Sequence, residues 1–247
     1  MKMTFLGTNG WFSDKNGNTI CTLLETRENY IVFDAGDGLH KLNMHITKEK
    51  PVIIFLSHLH LDHLIGLHML GNAGQLKSLK IYCPEGTRSD LLKIFGHPFT
   101  ASPDEYDYPI SIVELSEGIH NLDFGVECRQ LFHADKTFGY RLMIEEKIIT
   151  HLCDTGACEN ANILAKNADI VIHECAMKPG ENDSAWGHSG PERAALVAKE
   201  SGAKKLFLTH LAANNYTDKK SRDEAEVIAK KIFENTICAE DDLVVEI

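Results

Sequence analysis

The sequence has no cysteine pair in CxxC spacing. Its seven cysteines are odd in number and scattered. That argues against a disulfide framework and for free thiols in a reducing compartment. No stretch approaches the roughly 20 consecutive apolar residues that a membrane-spanning helix needs. The opening Met1-Lys2-Met3-Thr4-Phe5-Leu6-Gly7 lacks the apolar core and cleavage site of a secretory signal and reads as a first strand. Together these absences give a cytoplasmic expectation with no membrane partner. Basic residues are also scarce: 25 Lys and Arg stand against 36 Asp and Glu, for a formal net charge of −11. An acidic chain of this kind is not expected to offer nucleic acid an extensive footprint. A small anionic substrate remains compatible, because bound metal ions reverse the local field. No glycine-rich phosphate loop is present, so a phosphate would be held by metals and side chains. No low-complexity tract or Ser/Gly/Pro-rich linker divides the chain, and one domain over residues 1–247 is expected.

What is present is an ordinary globular composition, 43% hydrophobic and 25% charged over 247 residues, enough to bury a substantial core. Short β-branched runs alternate with helical patterns. Strands are predicted at Met3–Leu6, Ile20–Glu25, Tyr30–Phe33, Val52–Leu56 and Lys80–Cys83. The second half predicts strands at Ile110–Leu115, Val126–Leu131, Phe138–Ile144, Ile148–Thr150, Ile170–His173, Leu206–Thr209 and Leu243–Glu246. Helices are predicted at Leu64–Leu70, Ser89–Phe95, Ala161–Asn167, Pro191–Ser201 and Asp218–Phe233. Pro191 suits a first helical turn and Gly202 a helix end. Two strand-rich halves, each with helices, point to an α/β fold of two packed sheets with outer helices, an arrangement that periodicity alone does not establish. The clearest irregular stretch is His97–Pro109, whose aromatics either line a pocket wall or tuck into the core.

The strongest chemical signal is Leu56-Ser57-His58-Leu59-His60-Leu61-Asp62-His63. A buried strand runs directly into three histidines and an aspartate. His58 and His60 alternate by two, so an extended turn lets both face one metal. Asp62 and His63 leave on a different heading and can face a second. Imidazole and carboxylate together suit zinc, iron or manganese. Further candidates stand at other strand ends: His133, Asp154 and His210. Each alone is a weak signal in a chain with 13 histidines.

The run His-Leu-His-Leu-Asp-His resembles the HxHxDH motif of the metallo-β-lactamase superfamily. The later His133, Asp154 and His210 follow in that family's order, and Asp34-Ala35-Gly36 resembles its early DxG motif. The resemblance covers essentially the whole chain and implies an αβ/βα four-layer sandwich with a two-metal site. It assigns His58, His60 and His133 to one metal and Asp62, His63 and His210 to the other. Asp154 is the implied bridge, and Asp34 supports the motif from behind. Within the superfamily, the C-terminal half resembles the ribonuclease Z and small-phosphodiesterase branch. His133…Gly139-Tyr140-Arg141 is similar to its HxxxxxGYR stretch, and Ile172-His173-Glu174-Cys175 to its His-Glu-Ala motif. Gly187-His188-Ser189-Gly190 with Leu206-Phe207-Leu208-Thr209-His210 is similar to its GHS…LxLTH block. That similarity implies a catalytic His188 at the leaving group, oriented by Glu174.

Two departures are visible: Cys175 replaces a small residue, and Gly190 replaces a threonine. No long basic insertion resembles the arm with which ribonuclease Z grips tRNA. The resemblance therefore implies a dinuclear-metal hydrolase of a small or cyclic phosphodiester or short nucleic acid, with Asp62, His188 and Glu174 as catalytic residues. A hydrolase of a lactone, thioester, β-lactam or sulfate ester remains an alternative, as does a non-catalytic metal-binding protein. The metals are expected to be zinc, with manganese or iron open, and a homodimer is compatible. Cys153 is read as core packing, His151 and His173 as buried or supporting, and His40, His45, His68, His97 and His120 as surface or structural. Lys219, Lys220 and Arg222 are read as a solvated helix start.

Overall fold

The computed structural model describes residues 1–74, 76–181 and 185–247. Contacts divide the chain into two compact units. Unit 1 comprises Met1–Thr8, Gly17–Ser116 and Asp241–Ile247, and unit 2 comprises Asn9–Asn16 and Glu117–Glu240.

Unit 1 is built on a seven-stranded sheet in the order Val244–Glu246, Lys2–Gly7, Cys21–Glu25, Tyr30–Phe33, Val52–Phe55, Leu79–Pro84, Ile110–Leu115. The pairings up to Tyr30–Phe33 are antiparallel, and the remaining three are parallel. Tyr30–Phe33 and Val52–Phe55 are buried along their whole length. That is the continuous apolar character expected of inner parallel strands covered on both faces. One face carries a core of Leu6, Leu23, Val32, Ile54 and Ile81 with Leu39, Leu67 and Phe95 packed over it.

Unit 2 repeats the plan. Its seven strands run Thr236–Cys238, Leu206–Thr209, Ile170–Glu174, Lys147–Leu152, Phe138–Ile144, Gly125–Gln130, Gly118–Asn121. The first three pairings are parallel and the last three antiparallel. Helices Glu159–Ala165, Pro191–Glu200 and Lys219–Ile232 place Leu164, Ala194, Val197, Ala225 and Ala229 in a core with Leu152, Val171 and Leu208. Pro191 opens its helix as expected, and Gly202 takes φ +70° just beyond the end of it. Asp218 caps the last helix by accepting from the Ser221 backbone N–H at 2.8 Å. The Arg141 guanidinium donates to the Leu164 and Lys166 carbonyls, both at 2.7 Å. That part of the GYR resemblance therefore has a structural explanation: Arg141 satisfies the carbonyl end of a helix.

The structure departs from the sequence expectation at Leu64–Leu70. A single α-turn, Leu61–Leu64, is followed by a 3-10 segment, Ile65–Asn72. Gly66 and Gly71 weaken an α-helix there, and the Gly66 N–H bonds back to the Ala35 carbonyl at 2.8 Å instead. His97–Pro109 is irregular apart from the turn Pro103–Glu105. Both readings of its aromatics hold. Tyr106 and Tyr108 pack against the unit 1 core and also line an 820 Å³ surface cleft with Ile46, Lys48, Glu49 and Leu76. All seven cysteines are free. Among the described residues no helix is long and apolar enough to cross a membrane.

Candidate metal centre

In unit 1 the motif begins where Val52–Phe55 ends. Asp34, at the end of the neighbouring parallel strand, is fully buried and holds φ +56°, a region that L-residues rarely enter. Its carboxylate accepts from the Ser57 backbone N–H at 2.7 Å and from Ser57 Oγ at 3.0 Å. The same carboxylate lies 3.1 Å from His63 Nδ1. Ser57 Oγ is in turn 3.0 Å from His58 Nδ1. One buried carboxylate thus holds two imidazoles by their Nδ1 atoms, His63 directly and His58 through Ser57. The His58 ring lies 4.4 Å from that of His60 and 4.1 Å from that of His63. Asp62 is half-buried, with Oδ2 3.6 Å from His63 Nε2. Gly36, third in the Asp-Ala-Gly motif, is required by close approach: a Cβ there would come within 2.3 Å of the Asp62 carbonyl oxygen.

In unit 2 the candidates come from separate strand ends. Asp154 follows Lys147–Leu152 and is buried. Its Oδ1 lies 3.2 Å from His210 Nε2, and its Oδ2 lies 3.9 Å from His133 Nε2. The two oxygens of one carboxylate therefore face two different imidazoles. His133 Nδ1 is directed at the Gly187 carbonyl, 3.4 Å away. His210 sits at φ +50° directly after Leu206–Thr209. Its ring lies against Gly10, where a Cβ would be 2.6 Å from Cε1, so a side chain there would displace the imidazole. The pairing of Asn9–Gly10 with Leu211–Ala212 holds that contact.

Glu174 ends the strand Ile170–Glu174 and is fully buried. Its Oε1 accepts from the Thr155 N–H at 2.9 Å, and its Oε2 from the Ala176 N–H at 2.8 Å. His188 Nδ1 is 2.9 Å from Glu174 Oε1. The His188 ring remains 18% exposed and lies 5.0 Å from the His133 ring and 5.9 Å from that of His210. Ser189 Oγ donates to the Thr155 carbonyl at 2.6 Å and clamps the loop that carries His188.

Within each unit the sequence-derived candidates are brought together: Asp34, His58, His60, Asp62 and His63 in one, His133, Asp154, Glu174, His188 and His210 in the other. Three participants went unrecognised or misread. Ser57 relays Asp34 to His58. Cys153, buried as the packing reading expects, has in addition an unrecognised bond, donating Sγ–H to Asp154 Oδ1 at 3.0 Å. Arg222, read as solvated, is buried and donates to Asn9 Oδ1. Cys175 Sγ lies 3.3 Å from the Tyr216 hydroxyl, which donates to the Met177 carbonyl at 2.6 Å. Burial pushes the Cys175 thiol well above its usual range. His40 and His68 are exposed and close local bonds to the Asp37 and Ile65 carbonyls, and His97 pairs with Glu105 at 2.9 Å.

Nitrogen and carboxylate donors, with ring nitrogens turned outward by bonds behind them, are what a divalent transition metal requires. The imidazole and carboxylate groups present are of the kind that fit such ions. The family model for the β-lactamase superfamily domain matches residues 29–211. A ribonuclease Z of Bacillus cereus (strain B4264) is 27% identical, covering 98% of this chain and 97% of that protein. That alignment spans 305 positions, more than the 247 residues of this chain, so the relative carries residues with no counterpart here. Among solved structures, the metallo-β-lactamase fold protein YhfI from Bacillus subtilis superposes with a TM-score of 0.82 at 22% identity, over 99% of each chain. The short form of human tRNase Z superposes with a TM-score of 0.79 at 25% identity, over 100% of this chain and 99% of that one. The chain belongs to the β-lactamase superfamily and is a hydrolase of the metallo-β-lactamase fold.

Proposed function

We propose that this protein hydrolyses a small phosphodiester with two divalent metal ions, zinc first among the choices. The observation that carries the reading is the His188–Glu174 pair at 2.9 Å, beside a carboxylate, Asp154, whose two oxygens face different imidazoles. The ligands would be His58, His60 and His133 for one ion and Asp62, His63 and His210 for the other, with Asp154 shared. When bound, the ions supply Lewis acidity toward the phosphoryl oxygens and bring the pKa of a coordinated water toward neutrality.

The chain's own residues do the rest. The Asp62 carboxylate accepts the proton of the attacking water. Glu174 holds the His188 ring by Nδ1, so Nε2 is the nitrogen that addresses the departing oxygen. The same carboxylate stabilises the ring when it is positively charged, as required of a group that donates a proton to a leaving group. Two backbone N–H groups keep Glu174 in place while this happens. A small substrate is favoured over a folded tRNA by the net charge of −11 and by the positions of the ribonuclease Z relative that have no counterpart here. A cytoplasmic protein acting as a single domain is part of the same proposal, in keeping with its free cysteines and with a sequence that no linker-like tract divides.

The test is turnover by the metal-loaded protein on bis(p-nitrophenyl) phosphate and nucleoside 2′,3′-cyclic phosphates, beside lactone, thioester, β-lactam and sulfate-ester panels and precursor tRNA. Metal-dependent cleavage of the small phosphodiesters is expected, with weak tRNA binding that falls further with salt. Specific 3′ processing of precursor tRNA would overturn the small-substrate choice. Rapid cleavage of another ester without phosphodiesterase activity would leave only the metallohydrolase.

A further inference from the structure

Among the described residues of unit 2 four large aromatic side chains are exposed, Phe12 the least of them at 42%. Trp11 is 67% exposed, Trp186 56% and Phe132 45%. They are not scattered. The imidazoles of His133, His188 and His210 form a row with centroid spacings of 5.0 and 5.9 Å. Phe132 precedes His133, and Trp186 lies two residues before His188. Their loops are joined by the Ala134 N–H donating to the Trp186 carbonyl at 2.8 Å. The Gly156 N–H donates to the Phe132 carbonyl at 2.8 Å, and the Phe132 ring packs on Gly156, two residues after Asp154. At the other end of the row, Trp11 follows Gly10, the residue on which the His210 ring rests.

The Trp11 loop is built to hold its ring out. Trp11 takes φ +72°, a costly conformation for a bulky residue. Asn9 Nδ2 donates to the Phe12 carbonyl at 3.2 Å and to Asp14 Oδ1 at 2.9 Å, while the buried Arg222 guanidinium holds Asn9 Oδ1. Asp14 is also bonded by the Asn16 N–H at 2.8 Å and by Asn16 Nδ2 at 2.7 Å. Phe12 meets Trp11 edge to face at 5.3 Å. Exposed aromatic rings on fixed loops are stacking surfaces for planar groups, and every nucleobase offers a π-face.

We propose that Phe132 and Trp186 are specificity-determining residues that stack on the nucleobase of the substrate, with Trp11 as a second aromatic surface at the far end of the row, so that the phosphodiester cleaved is a nucleotide ester. This rests on the phosphodiesterase reading above for its catalytic arm. It does not rest on that reading for its binding arm, because the chain's only two tryptophans, Trp11 and Trp186, both belong to this surface. Intrinsic fluorescence therefore reports on it alone.

The experiment has two arms on the metal-loaded full chain. In the first, fluorescence excited at a wavelength that nucleotides do not absorb is followed while thymidine 5′-monophosphate or ribose 5-phosphate is added. Saturable quenching by the nucleotide and none by the sugar phosphate is expected. In the second, the p-nitrophenyl esters of thymidine 5′-phosphate and methyl phosphate are compared, since they share a leaving group and differ in the nucleoside, while the ribose 5-phosphate control of the first arm separates sugar from base. Phe132→Ala and Trp186→Ala should raise KM for the thymidine ester about tenfold more than KM for the methyl ester, with kcat changing in parallel for the two. The exposure of both side chains keeps these variants folded. An equal response to the two ligands, or equal KM changes for the two esters, overturns the proposal. If neither ester is cleaved, the phosphodiesterase reading falls by itself and the fluorescence arm still decides the stacking surface.

Discussion

The two units carry the same mixed seven-stranded sheet, yet they prepare their candidate ligands in opposite ways. In unit 1 one carboxylate does the orienting. Asp34 accepts from Ser57 twice and faces His63, and through Ser57 it reaches His58. In unit 2 the task is distributed. His133 is directed by the Gly187 carbonyl, His188 by Glu174, and His210 by its seat on Gly10. A centralised network is efficient in sequence and vulnerable to one substitution. A distributed one needs three strand ends and a two-residue strand from the other end of the chain, but loses one ligand at a time.

The largest expected effect breaks the chemistry of unit 1 itself. Asp62→Ala should lower kcat by about 10²–10⁴-fold, the range for losing a positioned acid or base. Thermal unfolding of the metal-loaded variant would check that the fold survives. Wild-type turnover at saturating metal would remove Asp62 from its assigned role. In unit 2, His188→Ala should slow a phosphodiester with a basic alkoxide leaving group by about 10²-fold, and a p-nitrophenyl ester by much less. A linear free-energy plot of rate against leaving-group pKa reads this directly, since the variant's slope should be steeper. Equal slopes would contradict proton donation by His188.

The contrast between centralised and distributed support is sharpened by Asp34→Asn. Loss of supporting hydrogen bonds behind metal ligands costs about 10–100-fold in affinity. This one change in unit 1 should match that, whereas Cys153→Ala in unit 2, which removes one donor to Asp154, should cost less. Competition with a chelator of known affinity measures both. Equal losses would mean that unit 1 is not centralised.

The smallest expected effect concerns the unit 2 sheet. His173 is buried, and burial holds its imidazole below the ordinary value of 6.5. Below about pH 6.5 the unfolded chain takes up a proton that the folded chain refuses, so stability falls as pH drops through that value. The contribution is at most about 1.4 kcal/mol per pH unit. Melting temperatures at pH 7.5 and 6.0 should therefore differ less in His173→Gln than in the unaltered chain.

The same contrast explains what the sequence disclosed. The unit 1 candidate ligands lie within six consecutive residues after a strand of continuous apolar character, so periodicity and residue type suffice to find them. Tyr30–Phe33, Ile110–Leu115, Phe138–Ile144 and Leu206–Thr209 form over the predicted residues, because each is a β-branched or aromatic run bounded by breakers. His133, Asp154 and His210 were legible as residues at strand ends but needed the family resemblance to become a set. Asn9–Gly10 and Leu211–Ala212 are too short to carry a period, and nothing local announces that they pair. The role of Gly10 beneath His210 was invisible for the same reason. Arg222 was misread because charge at a helix start is ordinarily solvated, and its partner lies at the far end of the sequence. Ser57 and Cys153 act through single hydrogen bonds, which leave no spacing signature.

Metal content tests the central claim most directly. Elemental analysis of the purified chain should find close to two transition-metal ions per molecule, with a clear loss in His58→Ala, from unit 1, and in His210→Ala, from unit 2. No tightly bound metal in the unaltered chain, with the two variants indistinguishable from it under added zinc, would contradict the account.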